Sequence, residues 1–287
     1  MLQTAKNKNI EIKIRKLLDS EFFGAYTSRF VWNGIEFSDL REYVAWDSVK
    51  RIDWKTTAKQ NDVFIKNFEQ ERDMKVLFFL DTSSSMQFWS KKAKKIDTLK
   101  EVFYTLWLAA TSVWDSTAWY VINDNIHTFT DFKKWEENIV RIDSILIQSE
   151  QIEHVKTKKN TFIEHIKNLE RLKISQSLIC IISDELDFDI SCMKGIAARN
   201  QILYCHISDD FENNLWNESK ELNLWYEKMS FSSSLTHKKK REKYRDLRSD
   251  MMAQFKASLR KIHIDLIPLS DRDDVVREFL KYFKNVS

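Results

Sequence analysis

Apolar residues in this chain follow two rhythms, and the two alternate along it. Short, mainly apolar runs fall at Val76–Leu80, Ala118–Ile122, Ser177–Ile182, Ile202–Ile207 and, interrupted by His263 and Asp265, Ile262–Ile267. Runs of that length bounded by polar residues predict strands, buried on both faces as in a parallel sheet. Between them lie stretches with apolar residues at helical spacing. These are Lys94–Ala110, Trp135–Gln148, Thr161–Leu169, Ser191–Arg199, Lys240–Lys261 and Asp271–Phe283, the last with Ser270 as its expected cap. Asn123–Asn125 reads as a hairpin turn into Ile126–Phe129. Such alternation predicts an α/β protein built on a doubly wound, mainly parallel sheet over residues 74–287. Residues 1–73 differ. After an amphipathic lead-in at Ile10–Asp19, the segment Phe22–Asn67 is rich in aromatic and turn residues, and Val63–Phe68 alternates like a strand. A smaller, strand-containing subdomain is expected there.

Polar residues gather where the buried strands end. The first run meets Asp81-Thr-Ser-Ser-Ser85, the third meets Ser183-Asp184, and Thr161 opens a helix after the polar stretch Lys156–Asn160. Ligands in open α/β sheets bind outside the carboxyl ends of strands. Asp81, Ser83 and Ser85 supply a carboxylate and two hydroxyls within one turn, a donor set for a hard cation. Mg²⁺ (or Mn²⁺) suits so few protein oxygens because it keeps several waters. Each residue also has an ordinary reading, as a strand-end turn or a helix cap.

In order along the chain, Asp81-x-Ser83-x-Ser85, then Thr161, then Asp184 resembles the metal-ion-dependent adhesion site of von Willebrand factor A domains. The resemblance implies a Rossmann-like, von Willebrand A-like fold. It implies that the hydroxyls of Ser83, Ser85 and Thr161 bind the ion while Asp81 and Asp184 hold its waters. The sixth position would stay open for a partner's carboxylate. A degenerate, metal-free site is the alternative. Upstream, Ser28–Tyr43, Ile52-Asp53-Trp54-Lys55 and Lys66-x-Phe68-Glu69-x-Glu71-Arg72 resemble the signature of the bacterial "domain of unknown function 58" family. Arg41-Glu42-Tyr43 and Ile52–Lys55 are its most specific parts, and the resemblance runs from about Phe22 to the C-terminus. It implies an intracellular, cytoplasmic interaction module and does not imply a known enzymatic activity. That module would act with a MoxR-type AAA+ ATPase in maturing or assembling a client protein complex.

Charge and composition narrow the remaining classes. With 46 basic and 43 acidic residues, the net charge of +3 gives no field that would select nucleic acid or a membrane surface. The basic run His237–Arg248 is diluted by Glu242 and Asp246 and reads as a solvated helix face. No apolar run approaches the roughly 20 residues of a spanning helix. Cys180, Cys192 and Cys205 are dispersed in apolar surroundings, as reduced core residues are. The nucleophile elbow, phosphate-binding loop and metalloprotease motifs are missing, and His206 and His263 fall in predicted strands as satisfied core or edge residues. A metal-dependent phosphoesterase using Asp81 and Asp184 is the competing enzyme reading, but the sequence shows no strong further base or nucleophile. Arg41, Glu42, Asp47, Arg51, Asp53, Lys55, Glu69, Glu71 and Arg72 form a dense set of opposite charges, expected to be structural rather than catalytic.

One count is anomalous. The chain has 3 glycines and 10 tryptophans, where average usage predicts roughly 20 glycines. Trp32, Trp46, Trp89, Trp114 and Trp119 stand where the family it resembles has glycine, with Trp225 a weaker case. Trp54 stands where that family has tryptophan. UGA codons meaning glycine but translated as tryptophan would account for this, whereas low genomic GC content accounts only for the loss of glycine. The five are expected to be exposed or to crowd turns, and Trp54 to be packed.

Overall fold

The computed structural model describes residues 18, 20–30, 36–44, 52–57, 62–69, 74–87, 94–123, 127–134, 146, 161–209, 225–226, 229–230 and 238–284. Two compact units emerge, one spanning Phe30–Asp73 and one holding helix α1 (Ser20–Arg29) with everything from Met74 onward. Helix α1 thus precedes the smaller unit in sequence but belongs to the larger one in space.

In the smaller unit, β1 (Glu36–Glu42) pairs antiparallel with β2 (Phe64–Glu69), and the register slips between Phe37 and Asp39. A one-turn helix, α2 (Trp54–Thr57), lies between them in sequence. Asp53 starts it: its carbonyl accepts from Thr57 N–H at 2.9 Å and its carboxylate from the Thr56 hydroxyl at 3.1 Å. Of the dense charge set, only the side chains of Glu42 and Asp53 are among those described.

The larger unit is organised on β3 (Lys75–Asp81), followed by α3 (Lys95–Ser112), β4 (Ser116–Ile122), β5 (His127–Phe129), α4 (Thr161–Arg171) and β6 (Ser177–Ser183). A 3-10 turn at Ile190–Met193 leads into the short α5 (Lys194–Ala197) and then β7 (Gln201–Ser208). After the two-residue strands β8 (Trp225–Tyr226) and β9 (Met229–Ser230) come α6 (Lys238–Arg260), β10 (Ile264–Ser270) and α7 (Val275–Lys284). Six strands form one sheet in the order β10-β7-β6-β3-β4-β5, parallel except for β5, which runs antiparallel to β4. The fold is therefore mixed α/β with a mostly parallel central sheet.

Successive strand residues point to opposite faces, and both faces of this sheet are covered. Leu77, Phe79, Tyr120, Ile179, Ile181 and Tyr204 join one core with residues of α4 and α6. On the other face, Phe78 meets Phe103 of α3 edge-on at a centroid separation of 5.1 Å. Helix α3 is buried nearly all round, as befits a central helix. Phe283 of α7 packs against Phe22 and Tyr26 of α1, and the Tyr26 hydroxyl donates to Asp115 at 3.3 Å. Burying each such large apolar side chain contributes about 1.5–3 kcal/mol. No helix among the described residues is long and apolar enough to cross a membrane.

Several boundaries differ from the sequence pattern, each for a physical reason. Strand β10 continues through Pro268 to Ser270, which an edge strand tolerates because one of its sides forms no ladder. Helix α7 accordingly starts later than expected, and Asp274 rather than Ser270 caps it, accepting from Arg277 N–H at 3.2 Å. His263 lies outside the strand, closing α6 with φ 57°. His206 is buried in β7, close to the Asp184 backbone. The helix expected over Trp135–Gln148 lies, save Leu146, outside the described residues.

Tryptophans 32, 46 and 89 also lie outside them. Trp119 departs from expectation: it is fully buried in β4, edge-on to Phe103, with its indole N–H unpartnered among the described residues. Trp54 departs too, being 66% exposed as the first residue of α2. Trp114 behaves as expected. Behind α3, Asp115 N–H donates to Ala110 O at 3.0 Å and Trp114 N–H to Thr111 O at 3.2 Å, with Trp114 at φ 67°. That is a Schellman ending, whose left-handed position favours glycine. Lys173, Gln176 and His263 also take positive φ, so the angle alone does not single out tryptophan. What singles it out is an indole that is 66% exposed at such a position. Replacing Trp114 with Gly should raise stability by about 1 kcal/mol, since it relieves the left-handed strain and loses little packing. Chemical denaturation checks this, and a loss of stability would show the indole to be a packed, native choice. At the gene, UGA codons for the five tryptophans with UGG at Trp54 are the expected result, and UGG throughout would refute the recoding.

Candidate functional site

Two neighbouring strands end side by side in the middle of the sheet. From β3 the chain moves to β4 on one side, then returns to β6 on the other and continues outward through β7 to β10. The crevice between β3 and β6 is thus where strand order reverses, the usual location of a ligand site in such sheets. Their parallel register pairs Leu80 with Ile182, which carries Asp81 and Ser183 to the same edge. There the Ser183 hydroxyl donates to Asp81 Oδ2 at 2.6 Å.

The loop after β3 folds back over this pair. Ser83 N–H donates to Asp81 Oδ1 at 3.0 Å, and a 3-10 turn at Ser84–Gln87 follows with Met86 buried beneath it. Ser83 Oγ lies 3.1 Å from Ser85 Oγ, and the Ser85 hydroxyl donates to Asp184 Oδ1 at 2.9 Å. Asp81, Ser83, Ser85 and Asp184 are therefore brought together, with Ser85 open to solvent and Asp81 buried. Thr161 is the first residue of α4, but its side chain lies outside those described.

Two participants were not anticipated. Ser183 had only its place before Asp184 as a signal. Lys95 donates to Asp184 Oδ2 at 2.6 Å, and its side chain is 3% exposed. In the sequence it is one of four lysines in the five residues Lys91–Lys95, where nothing distinguishes a buried ammonium from solvated ones.

The two carboxylates are pushed in opposite directions. Burial, then the neighbouring charge of Asp184, pushes Asp81 up to about 7, against the hydrogen bonds from Ser183 and Ser83. Burial acts on Asp184 in the same sense, but the Lys95 ammonium and the Ser85 hydroxyl outweigh it, and Asp184 lies below the usual carboxylate range. Burial, with Arg248 adding to it, pushes His206 down to about 3, so the ring brings no charge to the site. At neutral pH the cluster holds an anionic Asp184, a cationic Lys95 and an Asp81 near its midpoint. It is close to neutral overall.

The oxygens can be compared with a cation's needs. Adjacent oxygens around an ion with bonds of about 2.1 Å stand about 3.0 Å apart. The separations of 3.1 Å for Ser83–Ser85 and 2.9 Å for Ser85–Asp184 match that edge. Among the described residues no group of three or more His, Cys, Asp or Glu is placed to hold a metal. Here half of the converging side chains are hydroxyls.

Comparisons with known proteins give the following. The family described as "Protein of unknown function DUF58" matches over residues 39–251. Two curated relatives are the uncharacterized proteins Rv1480 of Mycobacterium tuberculosis (strain H37Rv) and Mb1516 of Mycobacterium bovis. Each is 24% identical over 90 residues, 31% of this chain and 28% of the relative. The match thus spans under a third of the length of those relatives. Among solved structures, the conserved hypothetical protein BatB of Bacteroides thetaiotaomicron aligns with a TM-score of 0.45 and 12% identity, over 74% of this chain and 98% of that one. An aerotolerance-related membrane protein of Bacteroides fragilis aligns with a TM-score of 0.41 and 12% identity, over 74% of this chain and 97% of that one.

The raised Asp81 makes a signed prediction for the metal-free chain. Between about pH 4, where an unfolded Asp loses its proton, and pH 7, where the folded one does, the folded state holds the extra proton. Stability should therefore fall as pH rises through that window, by at most about 1.4 kcal/mol per pH unit. In chelator, Asp81→Asn should flatten this decline. Parallel curves for the two proteins would show that Asp81 titrates normally.

Proposed function

We propose that this chain, which belongs to the DUF58 family, is a protein-binding module whose contact with its partner depends on a divalent cation at the β3/β6 crevice. The observation that carries the reading is the run of close oxygens beside a buried Asp81, with Ser83 Oγ 3.1 Å from Ser85 Oγ and Ser85 Oγ 2.9 Å from Asp184 Oδ1. In this reading Ser83, Ser85 and Asp184 would offer oxygens to Mg²⁺ or Mn²⁺. When bound, the ion would supply the positive charge that an acidic side chain of a partner needs. Charge supports this as well. Asp184 already neutralises Lys95, so the cluster has no positive charge to spare for a carboxylate. Ser183 and the Ser83 N–H hold Asp81 in place, and the exposed Ser85 leaves the edge open to a partner.

The resemblance carried by Arg41-Glu42-Tyr43 and Ile52–Lys55 favours a MoxR-type AAA+ ATPase and its client as the partners. It also favours a von Willebrand A-like description of the sheet. Retention of such an ATPase on the immobilised chain should require Mg²⁺, and chelator or Asp81→Ala should each lower it about tenfold, a loss of about 1.4 kcal/mol. Retention that survives both treatments would remove the crevice from the interface. Metal-dependent hydrolysis of phosphoesters that vanishes in Asp81→Ala would establish the enzyme reading instead.

A further inference from the structure

Lys95 fills none of the roles that the strand-end oxygens suggest. It is the first residue of the 18-residue helix α3, where a cation faces the positive end of the helix dipole and is disfavoured. Its side chain is nonetheless 3% exposed, with the ammonium 2.6 Å from Asp184 Oδ2. The residues are 89 positions apart, so only the sheet order brings them together. A buried ammonium needs such a partner, because desolvation without one costs several kcal/mol. Asp184 is therefore shared: Oδ1 accepts from the Ser85 hydroxyl, which in turn lies beside Ser83 Oγ, and Oδ2 accepts from Lys95.

A divalent ion taking Ser83, Ser85 and Asp184 would lie within a few Å of this ammonium. In so dry a place the two cations repel strongly. We propose that the Lys95 ammonium is the site's resident counter-ion, and that a divalent cation binds by displacing it from Asp184. This rests on the metal reading given above. The site then has two states. In one, Lys95 closes it and the cluster is near neutral. In the other, the ion holds Asp184, Lys95 is released, and the edge becomes positive and fit for an acidic side chain. The serine loop and the start of α3 are thereby coupled to metal, so Lys95 sets both the metal affinity of the module and its readiness for a partner.

The experiment is a Mn²⁺ titration of the full chain, with free ion followed by electron paramagnetic resonance, on wild type and Lys95→Met. Methionine keeps the stem and removes the charge. Lys95→Met should bind at least about tenfold more tightly than wild type, as expected from losing a like charge at this range. Equal or weaker binding by the variant, with wild type binding, would overturn the competition and leave the metal reading standing. No binding by either would end both. Because Lys95→Met also leaves Asp184 uncompensated and folding could suffer, wild type carries a second measurement. Acetylation of Lys95 by an amine reagent, read by mass spectrometry, should rise severalfold at saturating Mg²⁺. Reactivity unchanged while metal is bound would refute displacement.

Discussion

Asp81 and Asp184 end up beside each other because β3 and β6 are neighbours in register, and both are largely withdrawn from water. Two carboxylates in that position cannot both stay ionised without compensation. The compensation is divided. Ser183 and the Ser83 amide hold Asp81 while its proton is retained towards neutrality, and Lys95 and Ser85 hold Asp184 as an anion. The surrounding architecture serves this pair. The covered faces of the sheet fix the strand ends, the serine loop closes over them, and α3 begins where its first residue can reach across. Removing one partner of a buried pair of this kind typically costs 3–5 kcal/mol.

Much of this was legible in the sequence because it follows from local pattern. The buried runs at Val76–Leu80 and Ser177–Ile182 mark strands by continuity alone, and a carboxylate directly after each marks its end. Parallel pairing then places the two ends together. Lys95 was not legible. Its role depends on β3 lying between β4 and β6, a fact of sheet order rather than spacing, and it hides in a lysine-rich run. The strand expected over Ile262–Ile267 also stopped short, since it continues through Pro268 to Ser270. A proline is tolerated there because β10 is an edge strand, which depends on sheet order.

The tryptophans divide along the same line between local and global control. At Trp114 the helix ending alone dictates a left-handed residue, so the misfit could be foreseen from the chain. At Trp119 the surrounding core decides. The side chain is buried against Phe103, and its N–H finds no partner among the described residues. Gly24 and Gly195 sit in helices α1 and α5, while none of the positive-φ positions among the described residues carries glycine. Helix interiors are where glycine costs stability and left-handed turns are where it helps. Gly24 lies in such an interior, whereas at Gly195 an added Cβ would collide with the Glu170 carboxylate.

The central claim is that the β3/β6 crevice accepts a divalent ion in the place Lys95 now commands. Anomalous scattering from crystals soaked in Mn²⁺ tests it most directly. The account predicts a peak about 2.1–2.2 Å from Ser83 Oγ and Ser85 Oγ, with Lys95 Nζ withdrawn from Asp184. A crevice without an anomalous peak at saturating Mn²⁺, with the ammonium still on Asp184, would contradict it.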